Sequence, residues 1–512
     1  MTADGIVDSF DLAKTESEFL ALKPAKLPPA LVTRFADFLT RCLITAAPLA
    51  SPAQLAFLLA SYARDALSLL DEHADLQALA ELRRAMETAL ELSFDAKEGA
   101  RLFRSTLVQT LFYGLFSAWI VEARNNHAQA FNWRAAQWSL TVPIARFLFQ
   151  QVATPEALEP LGIVPLLDAA SRALGRVDQE AFFRAFRDSQ AILYFYEPFL
   201  NYFDPILRRK LGVWYTPPEI VTYMVERVDR VLRTELGIAD GLADDRVVVL
   251  DPCCGTGSFL VEVLHRINRT LQGKGIGSLA AESLKRAAIT RIHGFEIMTA
   301  PMIIAHWKIG ETLAQAGAPL AAGERASIYL TNALTGWSET GEKPPIRAFP
   351  TLESERSGAR RVKHDEPILV ILGNPPYDGY AGTSPASEGD LVAPYKEGLN
   401  TIWGVKKFNL DDLYIRFFRI AERRIADHTK KGVIAFISPY RWLSTKSYVV
   451  MRQRIVERFD KIWIDNLNGD SRDTGKLTPD GAPDPSVFST RHNREGIRVG
   501  TAITLLVRTG QK

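Results

Sequence analysis

Cysteine is nearly absent from this chain: there are three in 512 residues, and two of them are adjacent. That excludes a disulfide framework and any paired cysteine spacing for a metal, and it fits a reducing cytoplasm. Long apolar runs are lacking as well. The most apolar stretch, around Leu107 to Val121, is broken by Gln109 and reads as too short to span a bilayer. The first residues, Met1 to Lys14, carry Asp4, Asp8 and Asp11 without an apolar stretch, so neither a secretory signal nor a membrane partner is expected. No internal repeat and no Walker-type phosphate loop is found. There is also no Glu-x-Lys anywhere, which removes the usual acid-lysine signature of a nuclease centre.

Net charge is only +2, but it is unevenly spread. Residues 401–512 hold 21 Lys+Arg against 12 Asp+Glu. A basic C-terminal part suits a polyanion. Arg416, Arg419, Arg423 and Arg424 stand at helical spacing, either as part of that footprint or as a solvated helix face.

The pattern along the chain implies three parts. Residues 1–50, interrupted by Pro24, Pro28 and Pro29, read as an N-terminal extension. Residues 51–205 read as helical, because stretches such as Gln54–Leu70 and Leu76–Leu92 repeat apolar residues every three or four positions. The dense aromatics from Phe182 to Phe203 in this part suit a buried helix–helix seam. Residues 206–512 alternate helical stretches with short β-branched runs: Val247–Leu250, Ile292–Phe295, Ile328–Leu330, Ile368–Leu372, Val433–Ile437, Ile462–Ile464 and Ala502–Val507. That alternation predicts an α/β domain built on a parallel sheet. The Gly-, Pro- and Ser-rich stretches 336–365 and 378–400, and the polar stretch 465–485, read as loops.

Chemistry concentrates at two strand ends. After Val370–Gly373 comes Asn374-Pro375-Pro376-Tyr377, a corner suited to holding the amino group of a planar base. Asn374 offers a side-chain carbonyl. Pro375 has no N–H and so presents only a carbonyl. Pro376 fixes the direction of that carbonyl by restricting the residue before it. Tyr377 supplies an aromatic face. Upstream, Val247–Asp251 runs into Pro252-Cys253-Cys254-Gly255-Thr256-Gly257. An acid at a strand end followed by Gly-x-Gly lets backbone approach a ligand closely. The missing lysine and the missing third glycine disfavour a triphosphate or a dinucleotide, whereas an ammonium-bearing ligand such as the methionine end of S-adenosylmethionine fits. A plain strand-to-helix turn has the same pattern. Glu296 ends the next strand, where a carboxylate suits a ribose diol, or simply faces solvent. Asn332 follows the third strand, where an amide can meet the adenine of that cofactor.

Asp251–Phe259, then Glu296, then Asn374–Tyr377, in this order, resembles the gamma class of adenine-specific (N6) DNA methyltransferases. Tyr215-Thr216-Pro217 is similar to a further motif of that class. The phrases Tyr196-Glu197-Pro198-Phe199, Asp411-Asp412-Leu413-Tyr414 and Asn466-Leu467-Asn468-Gly469-Asp470 resemble the methyltransferase core of type I single-polypeptide restriction-modification enzymes. The resemblance spans roughly residues 190–512, and it makes residues 51–205 similar to the helical coupler of those enzymes.

The resemblance implies a Rossmann-like S-adenosylmethionine-dependent methyltransferase sheet preceded by an α-helical domain. It implies that Tyr215, Thr216, Pro217, Asp251, Cys253, Gly255, Thr256 and Gly257 line the methionine end of the cofactor. Glu296 would then hold the ribose, and Ile297 and Asn332 would flank the cofactor's adenine. It makes Asn374, Pro375, Pro376 and Tyr377 catalytic, with no metal, and gives Tyr377 and Phe488 the stacking on a base flipped out of double-stranded DNA. Phe488 also reads as a core residue before the last strand. Methylation of an RNA base or a protein amide, and a non-catalytic fragment, are the alternatives. A target-recognition domain normally follows the last strand in this class, so DNA binding that depends on a separately encoded recognition, nuclease or helicase subunit is expected.

Overall fold

In the computed structural model, residues 9–13, 15–23, 27–44, 49–72, 79–94, 97–124, 131–186, 198–200, 202–203, 216–275, 277–337, 345–377, 388, 390–408, 410–470, 487–488 and 499–510 are described. The chain forms two compact units, Met1–Arg84 with Ala100–Arg208, and Ala85–Gly99 with Arg209–Lys512.

The first unit is helical. Helices Pro52–Glu72 and Val164–Gly175 pack together, and Leu55, Leu59 and Leu67 of the first and Leu167 and Leu174 of the second are buried. The helix Lys97–Arg124 is the long apolar element here. It is longer than the sequence pattern implied, and by length and composition it could cross a membrane. Most of its apolar window is instead buried in the protein, as expected for a core helix, and Gln109 within it donates to Ser105 Oγ at 3.0 Å. The aromatic seam forms against this helix. Phe182 meets Trp119 edge-on at 5.0 Å, Phe183 stacks on Trp119 at 5.9 Å, and Phe199 meets Tyr113 at 4.7 Å. Tyr194, Phe195 and Tyr196 lie outside the described residues. A buried ionic cluster ties helix Pro29–Ile44 to Pro52–Glu72: Asp65 accepts from Arg34 and forms an ion pair with Arg41, which lies beside the Tyr62 ring.

The second unit is built on seven strands: β1 Val248–Asp251, β2 Ile292–Glu296, β3 Ile328–Leu330, β4 Ile368–Gly373, β5 Gly432–Pro439, β6 Lys461–Asn466 and β7 Thr501–Arg508. Their order across the sheet is β3-β2-β1-β4-β5-β7-β6. All seven match the β-branched runs to within two residues at each end, because central strands buried on both faces read as continuous apolar stretches. Parallel pairing holds from β3 to β5. The sheet is not wholly parallel, however: β7 lies between β5 and β6 and runs antiparallel to both. A strand that returns beside its predecessor needs no crossover helix, and strand direction leaves no trace in β-branched composition.

Helices cover the sheet, among them Pro218–Thr234, Ser258–Gly273, Thr299–Gln315, Pro350–His364 and Leu413–Glu422. Two expectations are corrected in this layer. The stretch 336–365 is not all loop, since Pro350–His364 is a helix with proline in its first turn. Its composition hid it, because only Leu352, Ala359 and Val362 supply an apolar face, while the buried Glu355 pairs with Arg325 and accepts from Leu330 N at 2.9 Å. The arginines 416, 419 and 424 are neither a solvated face nor a free basic footprint. Arg416 is buried against Glu388 at 2.8 Å, Arg419 pairs with Glu422 at 3.3 Å, and Arg424 donates to the carbonyls of Lys363 and Glu366. Of the four, only Arg423 is exposed. The polar loop 465–485 begins later than expected, since Asp465 and Asn466 still belong to β6, and 471–485 lies outside the described residues.

Candidate active site

The order β3-β2-β1-β4-β5 reverses direction between β1 and β4. In an open α/β sheet the crevice beyond the carboxyl ends of such a pair is where ligands sit. Asp251 ends β1 and Asn374 directly follows β4, so topology alone brings together residues 123 positions apart. Gly373 fixes how closely: a Cβ there would lie 2.7 Å from Asp251 Oδ1 and 3.4 Å from Cys253 Sγ. A side chain there would force the Asp251 carboxyl or the strand ends to shift.

Asp251 is buried, and its Oδ1 accepts from Cys253 N at 3.1 Å. Its Oδ2 is buried without a partner. Burial pushes the carboxyl up to about 7 against the pull of the Cys253 N–H, and the charge of Glu296 adds to the rise. The turn that follows is built on two left-handed glycines, Gly255 at φ +53° and Gly257 at φ +76°. Gly257 faces the protein, where a Cβ would meet Ala305 Cβ at 3.0 Å, whereas nothing lies within 4 Å of a Cβ on Gly255. One glycine therefore permits packing and the other leaves an open cradle. Thr256 stands between them, partly buried.

Glu296, at the end of β2, holds this loop in place. Its Oε2 accepts from Gly255 N at 2.9 Å, and its Oε1 accepts from Ile297 N and Met298 N, both at 2.9 Å. Burial raises its carboxyl to about 7 in spite of these three donors. A carboxylate offers about four acceptor positions, so one remains for a further hydroxyl. Ile297 is partly buried beside it. Asn332 is buried at the end of β3 and folds onto its own turn, with Oδ1 accepting from Leu334 N at 3.0 Å, while Nδ2 has no partner.

At the β4 corner the Asn374 amide is oriented. Its Nδ2 donates to Thr216 Oγ1 at 3.0 Å, and its Oδ1 is buried without a partner. The donor side is thus occupied and the acceptor side is left for a substrate N–H. Pro375 is buried and Pro376 partly so. Tyr377 is only 6% exposed, and burial raises its phenol well above its ordinary range. Stacking a base on that ring requires its face to be uncovered. Phe488 is buried as well. Pro217 precedes the helix Pro218–Thr234, while Tyr215, Tyr196 and Glu197 lie outside the described residues.

Two features escaped the sequence reading. Thr216, grouped there with the cofactor contacts, is bonded to Asn374, a pairing 158 residues apart that no local pattern reveals. Lys308 reaches from helix Thr299–Gln315 to Ser258 Oγ at 3.1 Å, and burial lowers its ammonium to about 8.

Residues 188–309 match the family model described as N-6 DNA Methylase, and residues 339–471 match the Eco57I restriction-modification methylase model. Two DNA methylase family models thus match separate parts of the chain. The first match contains Thr216, Asp251 and Glu296, and the second contains Asn374 to Tyr377. A search of curated proteins found no match. Among solved structures, a DrdV–DNA complex superposes with a TM-score of 0.65 at 23% identity, over 95% of this chain and 43% of that one. The Type ISP restriction-modification enzyme LlaGI, as a nuclease-deletion mutant with a DNA substrate mimic, gives 0.60 at 21% identity, over 89% of this chain and 34% of that one. The ATP-dependent Type ISP enzyme LlaBIII bound to DNA gives 0.61 at 22%, over 90% and 29%. The fold is thus shared with these enzymes, and this chain spans less than half of their length.

Proposed function

We propose that the chain transfers the methyl group of S-adenosylmethionine to the N6 amine of adenine in DNA, within a restriction-modification or phage-defence system. One observation carries this reading. At the switch point of an N-6 methylase sheet, an oriented amide keeps a buried, unpartnered acceptor at Asn374 Oδ1, next to the cofactor-side acid Asp251.

The residues present suit the cofactor. Asp251 Oδ2 is an unpartnered buried acceptor for an ammonium group, Gly255 leaves an open cradle, and Glu296 keeps one acceptor position for a ribose hydroxyl. When bound, the cofactor supplies an electrophilic methyl carbon. The chain's own part is electrostatic. The amine lone pair of adenine is delocalised into the ring, and Asn374 Oδ1 with the Pro375 carbonyl would accept its two N–H groups. That localises the lone pair toward the methyl. The methylated amine would be left with one proton to lose, and solvent would take it. No covalent enzyme intermediate is involved.

The test is tritiated methyl transfer to unmethylated plasmid, followed by nucleoside analysis. N6-methyladenine from the wild type and none from Asn374→Ala supports the reading. Label in RNA or protein and not in DNA, or equal transfer by the variant, overturns it.

A further inference from the structure

The connection leaving β4 carries a feature that the methylation chemistry does not use. β4 ends at Gly373 and the next long helix begins at Leu413, so this connection emerges on the same face as Asn374. Its described part is firmly anchored. Leu391, Val392, Tyr395, Leu399 and Leu410 are buried in the core that contains Leu250, Ile371 and Phe436. Tyr395 OH donates to Glu422 Oε2 at 2.6 Å. The tip is closed by Ile402 N and Trp403 N donating to the Gly398 carbonyl at 2.8 and 3.2 Å, and by Val405 N donating to the Leu399 carbonyl at 2.8 Å. Gly398 and Gly404 supply the left-handed turns, at φ +73° and +65°.

This held tip presents its apolar side chains to water. Ile402 is 78% exposed, Trp403 47% and Phe408 39%. An ordered apolar tip of this kind marks an interaction site. Charge chooses the partner. Lys406 and Lys407 are exposed within the tip, which has no acidic residue among its described positions from Ile402 to Phe408, and the segment after β5 adds exposed Arg441 and Lys446 on the same face. Aromatic and aliphatic groups interleaved with lysine suit the stacked bases and phosphates of a nucleic acid better than an apolar protein surface.

We propose that Ile402–Phe408 is a wedge, with Trp403 and Ile402 entering duplex DNA in the gap left by an extruded base while Lys406 and Lys407 contact the flanking phosphates. This rests on the DNA adenine reading above, because extrusion is what opens the gap.

The experiment is fluorescence anisotropy of the full chain with two labelled duplexes, identical except for a central abasic site in one. The expected result is about tenfold tighter binding to the abasic duplex, where the unstacking cost is already met. Trp403→Ala should lose that preference and keep its affinity for the paired duplex. A Lys406→Ala, Lys407→Ala double variant should weaken binding to both, with a shallower salt dependence, and keep the preference. All three positions are exposed, and circular dichroism checks folding. Equal binding of both duplexes by the wild type, or a preference that survives Trp403→Ala, overturns the wedge. Methyl transfer to plasmid, measured in parallel, separates the two readings: transfer without the preference removes the wedge alone, and the preference without transfer removes the methylation reading alone.

Discussion

Replacing Asp251 with asparagine should move the stability of the empty protein and its cofactor affinity in opposite directions at neutral pH. The wild-type carboxyl is raised from an ordinary 3.8 to about 7, chiefly by burial. Its folded pKa lies above its unfolded one, so the folded state keeps a proton through the window from pH 4 to 7 that the unfolded chain has released. Stability therefore falls as pH rises through that window, and is unaffected by this group below pH 4. At about 1.4 kcal/mol per pH unit, the full effect at pH 8 is about 4 kcal/mol. Asparagine removes this effect and retains the acceptor for Cys253 N. It also places an NH2 where Oδ2 has no partner, which costs about 1–3 kcal/mol. The variant should thus be less stable than wild type near pH 4 by about 1–3 kcal/mol, and more stable at pH 8 by a similar amount. Urea unfolding at several pH values reads this crossover, and calorimetry should show S-adenosylmethionine bound at least about tenfold more weakly, with the loss of an ion-pair partner. A stability difference that does not change with pH, or an unaltered affinity, refutes the reasoning.

Four further outcomes are expected. Asn374→Ala should lower methyl transfer by at least about 100-fold with cofactor affinity unchanged by calorimetry, while Thr216→Val, which frees the Asn374 amide to turn, should lower the transfer rate by about tenfold; a Thr216→Val effect confined to cofactor affinity would assign that residue to the cofactor instead. Gly373→Ala should destabilise the second unit by about 1–3 kcal/mol in denaturant unfolding, because the added methyl meets Asp251; an unchanged midpoint would show that the strand ends separate freely. Glu355→Ala should cost about 3–5 kcal/mol, since it strands the Arg325 guanidinium and the Leu330 N–H at the β3 edge; a loss below about 1 kcal/mol would mean water reaches that pair.

The strands were legible because each is a short β-branched run bounded by polar or glycine residues, and strand ends with an acid or Asn-Pro-Pro marked the candidate site. What stayed hidden depends on partners distant in sequence. The antiparallel setting of β7 is decided by its neighbours Gly432–Pro439 and Lys461–Asn466. The helix Pro350–His364 was obscured because its buried face includes Glu355, whose charge is cancelled by Arg325. Arg416 and Arg424 looked like surface cations because spacing shows which residues share a helix face, and not whether that face meets water or a buried carboxylate and carbonyls. In the site itself, the motif Asn374–Tyr377 indicated an acceptor but not that Thr216 ties down its other end.

That tie has a mechanical consequence. Thr216 stands one residue before Pro217, which leads into helix Pro218–Thr234. The Asn374 amide is therefore hung from the lead into that helix. A pull on the chain just upstream of Thr216 is transmitted through a single hydrogen bond to Asn374, and rotating that amide would swap the acceptor it offers for a donor. The amide at the β4 corner is in this way answerable to the short lead into helix Pro218–Thr234.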